Sequence, residues 1–429
     1  MPLHRHFIYL TLAQSACGPT PNLGPADAAP IVAAGGAKTC IVLDSTKLRC
    51  WGSNDSGRLG LALPDDFYGD DEPANAVPFL DLSSPISSVV SGTSTACLVR
   101  EVSDARELWC WGGGTIGSLG FPWQGWLGDD ETILAGRPVD FGGSRLVAVA
   151  AGTSHACGLL DDGIMKCWGY GGDGALGYAS TENLGDEVGE EPKDLPPVDV
   201  GDRVQSITAG GRNTCAVLDG GLVKCWGHDG SGKMGLGYDC GTLGDTEVPS
   251  SVPAIQLAGE PVSQVVIQST HACALHLDGA VSCWGEEGPW LGYGPALSSI
   301  GEGLGDDEHP STLGLVDVGA KVIEIVVGSQ FTCARLEGGA VKCWGVSYWG
   351  QLGYGTTDPI GIDQTPGEVG VLALGGNAIR VVAGWDHACA LLDDYSLRCW
   401  GKGEFLGYGS TDNIGDDETP ATAGPVPIR

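Results

Sequence analysis

The tripeptide Cys-Trp-Gly occurs seven times in this chain, beginning at Cys50, Cys110, Cys167, Cys225, Cys283, Cys343 and Cys399. The tryptophans within it (Trp51, Trp111, Trp168, Trp226, Trp284, Trp344 and Trp400) are separated by 60, 57, 58, 58, 60 and 56 residues. So even a period over seven copies means a repeat architecture, in which each unit buries its apolar face against the next. It displaces the two or three unrelated domains that 429 residues would otherwise suggest.

Each copy carries an earlier cysteine: Cys40, Cys97, Cys157, Cys215, Cys273, Cys333 and Cys389. Six pairs are ten residues apart, and Cys97 and Cys110 are thirteen apart. Between Cys215 and Cys225, Asp219-Gly220-Gly221 supplies residues that tolerate positive φ, flanked by apolar alternation, so the segment reads as a β-hairpin. Both cysteines are equidistant from Gly220, which sets them opposite each other at the separation a disulfide needs. In the longer pair the extra residues, within Arg100–Glu107, are expected in the turn. The competing reading is of buried thiols acting as small core residues. Zinc is a poor competitor, because no chelating C-x-x-C spacing occurs. Cys17 and Cys240 are left over.

The third copy shows a whole unit. Leu146–Gly152 is an apolar strand, His155–Gly169 a hairpin, Gly174–Tyr178 a turn into an acidic loop, and Pro196–Gly201 leads onward. Four short strands per repeat are the content of one propeller blade. The fold class expected is therefore all-β, a single seven-bladed β-propeller of four-stranded blades over residues 31–429, with the C-terminal Gly-Pro-Val-Pro-Ile completing an outer edge. These units resemble the regulator of chromosome condensation repeat family: Ala151-Gly152, His155-x-Cys157-x-Leu159, Asp162-Gly163, Cys167-Trp168-Gly169 and Gly174-x-Leu176-Gly177 carry the likeness. The paired cysteines are similar to those of its exported bacterial branch. The resemblance implies the propeller but little about activity. The family includes a guanine-nucleotide exchange factor for a small GTPase, a secreted β-lactamase inhibitor and many proteins of unknown role, and no exchange loop is matched here.

Charge and the N-terminus narrow the setting. A net charge of −32 repels phosphate backbones and leaves no basic footprint, which argues against nucleic acid and favours cations, basic proteins or polar glycans. Residues 1–17 resemble a signal peptide, possessing Arg5 before the apolar run Phe7–Ala13. Leu12-Ala13-Gln14-Ser15-Ala16-Cys17 is similar to a lipoprotein signal with Cys17 as the acylated residue, although Gln14 departs from that pattern; a plain cleaved signal and a disordered tail are the alternatives. Residues 18–30 read as a Pro/Gly-rich tether. The expectation is an exported monomer, either an outer-membrane lipoprotein, periplasmic or extracellular, touching a membrane by a lipid anchor only, and cross-linked as suits an oxidising compartment.

The repeat absorbs several tempting motifs. Gly227–Met234 looks like a phosphate-binding loop but lacks the Ser or Thr after Lys233 and occupies the same slot as Gly52–Gly60. Gly169–Gly174 matches a dinucleotide fingerprint in that slot without opening a helix. His155, His271 and His387 share a position filled elsewhere by Lys38, Thr95, Asn213 and Phe331, as suits a structural site better than a metal. Catalysis needs a nucleophile–base pair or converging carboxylates, and neither a G-x-S-x-G elbow nor H-E-x-x-H occurs, so the chain reads as non-catalytic. The function expected is a scaffold binding an unknown protein or glycan at a bacterial cell envelope. The alternatives are an exchange factor-like regulator of a small GTPase and a secreted enzyme inhibitor, for which Trp123, Trp126, Trp290, Trp349 and Trp385 are candidate contact residues.

One element recurs without an obvious owner. Gly69-Asp70-Asp71-Glu72, Gly128-Asp129-Asp130-Glu131, Gly185-Asp186-Glu187, Gly244-Asp245-Thr246-Glu247, Gly305-Asp306-Asp307-Glu308, Gly361-Ile362-Asp363 and Gly415-Asp416-Asp417-Glu418 form an acidic rung in each repeat. The bland reading is a glycine turn whose first aspartate bonds backbone N–H groups. The sharper one is calcium, with Asp412, Asp416, Asp417 and Glu418 as ligands beside Asn413; no cofactor is otherwise required.

Overall fold

The computed structural model describes residues 29–103, 105–230, 232–299 and 303–429; Cys17, the signal-like stretch and all but the last two residues of the expected tether lie outside the described residues. Seven antiparallel sheets follow one another along the chain. Blade 4 shows the plan: Val204–Gly210 innermost, then Asn213–Leu218, Val223–His228 and Thr242–Leu243 at the rim. The turn between its middle strands is Asp219–Gly221, with φ of +82° at Gly220 and +78° at Gly221. That turn fixes the register, so Val217 faces Val223 and Cys215 faces Cys225.

All seven hairpins repeat this register, and in each the two cysteines are directly opposed, with Cα atoms 4.0–4.1 Å apart and their sulfurs joined. Such a close approach belongs to the non-hydrogen-bonded pairs of an antiparallel ladder. The longer hairpin differs from expectation. Its extra residues extend Thr95–Val102 and Ala105–Gly113, and the ladder runs out to Val102 opposite Ala105. Cross-strand ion pairs between Arg100 and Glu107 at 2.8 Å and Arg106 and Glu101 at 2.9 Å suit this added stretch of ladder.

The rim strand is the least regular part of the blade. Blades 1, 2, 4 and 5 have two-residue rim strands, and blade 1 adds Leu80–Asp81. In blades 3, 6 and 7 the rim shrinks to the single bridges Gly169–Leu184, Gly345–Ile360 and Gly401–Ile414. So short a strand sits at the threshold where one lost bond erases it.

Inner strands surround the axis, lining a channel of about 260 Å³. Crowding there demands glycine: a Cβ on Gly210 would lie 1.9 Å from the Ile267 carbonyl oxygen. Backbone bonds step from blade to blade, among them Thr93 N–H to Gly152 O, Thr153 N–H to Gly211 O and Ser329 N–H to Trp385 O. Trp385 N–H to Gly36 O, at 2.8 Å, joins blade 7 to blade 1 and closes the ring. The tail completes blade 7: Val426 N–H donates to Leu397 O as Val198 N–H donates to Met165 O in blade 3.

Candidate functional site

The Cys-Trp-Gly tryptophans are fully buried between blades. Six of them donate their indole N–H to the carbonyl of the preceding blade's turn, as Trp226 does to Ala175 at 3.0 Å and Trp284 to Lys233 at 3.0 Å. This places the phosphate-loop look-alike: Lys233 is buried, its ammonium donating to Asn213 Oδ1 and Ser269 O, so it is committed to the seam. The three histidines belong to seams as well. Thr214 donates its hydroxyl to Ala175 O, which leaves its oxygen to accept from His155 Nε2–H at 2.9 Å. His271 pairs at 2.7 Å with Thr332, whose hydroxyl donates to Trp290 O, and His387 meets the Thr39 hydroxyl at 2.8 Å, each across its own seam. Burial holds these imidazoles neutral, lowering His155 to about 4 and His271 and His387 to about 3.

Each acidic rung docks on the turn of the blade before it. Gly128, with φ of +114°, packs so tightly on blade 1 that a Cβ would lie 2.5 Å from Gly57 O; at Gly415 the distance to Gly350 O would be 2.3 Å. The rung glycine's carbonyl also accepts from the neighbouring blade, as Gly415 does from Gly355 N–H and Gly305 from Gly237 N–H, both at 3.0 Å. First aspartates bond the next backbone N–H: Asp129 accepts from Asp130, Asp245 from Thr246 and Asp306 from Asp307, each at 2.8 Å. A sequence-local turn is thus also an interblade clamp.

In four rungs the three carboxylates converge, with oxygens within 4.8 Å: Asp70-Asp71-Glu72, Asp129-Asp130-Glu131, Asp306-Asp307-Glu308 and Asp416-Asp417-Glu418. Asp412 does not join the last of these; it accepts from the Ser410 hydroxyl at 2.7 Å. Asn413 donates to Asp416 at 3.3 Å and takes Gly403 N–H on its own oxygen. Partial burial and the adjacent aspartate push Glu131, Glu308 and Glu418 up to about 7. With one oxygen from each carboxylate the triple falls short of the 6–8 oxygens that calcium takes, so bidentate binding, backbone or water would have to supply the rest.

Blade 6 breaks the rung, and beside it lies a cleft of about 660 Å³ between blades 5 and 6. Pro289, Trp290, Leu297, Tyr348 and Ile362 form its apolar walls, with Glu287 and Asp363 also on the lining. Sequence reasoning missed this cleft, although two signals mark it. The spacer from turn glycine to rung glycine is eight residues in blades 2, 3, 6 and 7 but thirteen in blade 5, from Gly292 to Gly305, and Ile362 stands where other rungs have aspartate. Of the five candidate tryptophans, Trp126 and Trp349 are exposed, Trp123 and Trp385 half-buried, and Trp290 buried.

Comparison with known proteins agrees with this geometry. The "Regulator of chromosome condensation (RCC1) repeat" model matches residues 146–175, 204–233, 322–351 and 378–405, within blades 3, 4, 6 and 7. The ultraviolet-B receptor UVR8 of Arabidopsis thaliana is 26% identical over 378 residues, spanning 87% of this chain and 77% of that protein. The mitochondrial RCC1 domain-containing protein RUG3 of Arabidopsis thaliana is 27% identical over 377 residues, spanning 83% of this chain and 77% of that protein. Among solved structures, human WBSCR16 has a TM-score of 0.66 at 20% identity, covering 86% of this chain and 92% of that one. Yeast RCC1 (Prp20), solved with Kap60, has a TM-score of 0.65 at 15% identity, covering 97% and 91%. Four of the seven blades are matched by that model, so the chain carries RCC1 repeats and folds as an RCC1-like propeller.

Proposed function

We propose that this protein is a non-catalytic binding propeller of an oxidising compartment outside the cytosol, presenting its acidic face to a basic protein partner. The observation that carries the reading is one cross-strand cysteine pair at bonding distance in every blade, a framework suited to export and rare where glutathione keeps thiols reduced. The net charge of −32 and the convergent carboxylate triples favour a cationic partner and disfavour nucleic acid. A yeast protein of similar fold is described with binding properties to Gsp1p and histones, which supports the use of this fold for protein docking. A lipid anchor on Cys17 would tether the ring to the envelope.

Alkylation of the purified, non-reduced protein followed by intact mass tests the reading. The expected result is fourteen protected cysteines, with Cys240 the free thiol of the described residues. Free alkylation of the paired cysteines would overturn the export reading and return weight to an exchange factor-like regulator in the cytosol.

A further inference from the structure

Resting on the docking role proposed above, we infer that the cleft between blades 5 and 6 is the peptide-reading site, and that it takes an extended segment whose bulky apolar side chain is flanked by lysine or arginine. The cleft is built by departures from the repeat. Five residues beyond the common spacer bring the turn Gly294–Ser299 to its wall, and Trp290 occupies a turn position held by Ser118, Ala175 and Gln351 in other blades. Insertions in repeat folds map to loops on one face, where binding surfaces gather.

The apolar surface is left open. Tyr348 is 69% exposed and Ile362 45%, and Trp349, next in the chain to Tyr348, is 43% exposed. Trp290 itself is anchored, its indole donating to Glu286 O at 2.9 Å and its carbonyl accepting from both Trp344 and Thr332, so the cleft has a fixed floor. A volume of about 660 Å³ lies in the range of about 300–1,000 Å³ usual for ligand pockets.

Charge selects the occupant. The lining includes Glu287 and Asp363 and no lysine or arginine. The broken rung of blade 6 lies at the seam with blade 5, whereas complete triples lie at the seams on either side, Asp306-Asp307-Glu308 against blade 4 and Asp416-Asp417-Glu418 against blade 6. An apolar gap is therefore flanked by two acidic clusters. The complement is an apolar anchor with a basic residue on each side, and the exposed Tyr348 ring adds cation–π attraction for one of those bases, the neighbouring Trp349 ring already facing Lys402 Nζ at 5.7 Å. A neutral glycan would lack such ion pairs, and the Ser347 hydroxyl is already committed to Thr356 O at 3.0 Å.

The test is calorimetric titration of the full chain with the blocked peptide Arg-Gly-Arg-Leu-Leu-Arg-Gly-Arg, alongside versions with Glu for Arg and with Gly for Leu. Saturable binding that weakens with salt is expected, with each control peptide and each of the variants Tyr348→Ala and Ile362→Ser weakening it by about tenfold or more. Leu277→Ser, an exposed side chain at the hairpin turn of blade 5 outside the cleft and the rungs, should leave it unchanged. Absence of saturable binding, binding that ignores Tyr348→Ala, or equal binding of the Glu peptide overturns the proposal. Both variants lie on exposed side chains, and an unchanged melting temperature certifies their fold. Loss of this proposal leaves the oxidised-scaffold reading intact, because cysteine protection is measured separately.

Discussion

The seam that closes the ring, between blades 7 and 1, is built differently from the other six. At those six the tryptophan N–H reaches the carbonyl of the preceding turn. At the closing seam Trp51 Nε1 is buried and has no partner among the described residues. The turn of blade 7 is the shortest of all, with Gly407 six residues after Gly401, against eight from Gly227 to Gly235. Its 3-10 segment Gly403–Phe405 leaves no carbonyl bonded to Trp51. Compensation comes from the chain end: Arg49 donates to Ile428 O at 2.8 Å, Asn75 to Arg429 O at 3.0 Å, and a bridge links Pro73 to Tyr408. Continuous chain joins every other pair of neighbouring blades, whereas this pair is held by non-covalent contacts alone. The ring should therefore open here first.

Reduction of the disulfides is the strongest blow to every blade at once. Each loop of ten to thirteen residues restricts the unfolded chain by about 3 kcal/mol, so seven lost links approach or exceed the roughly 5–15 kcal/mol by which a domain is ordinarily stable. Hydrogen exchange during partial reduction should rise first in Ile31–Gly35 and Ala378–Ala383, the inner strands of blades 1 and 7. Uniform exchange around the ring would erase the distinction between seams. Deleting Val426–Arg429 attacks the closing seam together with the outer edge of blade 7 and leaves the other six seams untouched. It removes two buried side chains, Val426 and Ile428, at a cost of about 3–5 kcal/mol. A denaturant midpoint unmoved by that deletion would show the tail to be ornamental.

The repeat was legible because its signals were redundant. Seven tryptophans and seven cysteine pairs each report the period, and hairpin symmetry about Gly220 predicted the facing of Cys215 and Cys225. The extra residues between Cys97 and Cys110 were misplaced into the turn because the cross-strand pairing of Arg100 with Glu107 is visible only once a register is known. Rim strands were over-assigned for a related reason: two residues carry no periodicity to read. The acidic rung showed itself as a turn, but its docking on the preceding blade depends on contacts more than fifty residues away, such as Gly128 on Gly57. The cleft stayed hidden because it is an exception, and attention to a repeat favours what recurs.

Tryptophan substitution compares the two kinds of seam directly. Trp226→Phe loses ring volume and the bond to Ala175 O, whereas Trp51→Phe loses volume but no indole bond. The Trp226 variant should be the less stable by about 1 kcal/mol, the net worth of one buried hydrogen bond. Equal losses in urea denaturation would mean that Trp51 finds a partner in solution.

The smallest effect separates the acidic clamps. Glu418, at the seam of blades 6 and 7, is pushed up to about 7 and has a buried oxygen with no hydrogen-bond partner among the described residues. Because its folded value lies above the unfolded one, the folded state holds the extra proton between about pH 4.5 and 7, and stability falls as pH rises through that window. The neutral buried histidines act in the opposite direction, costing stability as pH falls below the ordinary imidazole value, so wild type and variant must be compared at each pH to cancel them. Glu418→Gln should match wild type at pH 4 and exceed it at pH 8, by no more than about 0.5 kcal/mol once solvent screening is allowed for. At the closing seam Glu72 is raised too, but its carboxylate accepts Gly69 N–H at 3.1 Å, which favours the charged form. Glu72→Gln should therefore gain less. Repeating both melts with millimolar calcium reads whether a cation replaces the proton: a wild-type melting temperature that climbs to the Glu418→Gln value at pH 8 shows that it does, and a constant gap shows that the rung is a clamp and nothing more.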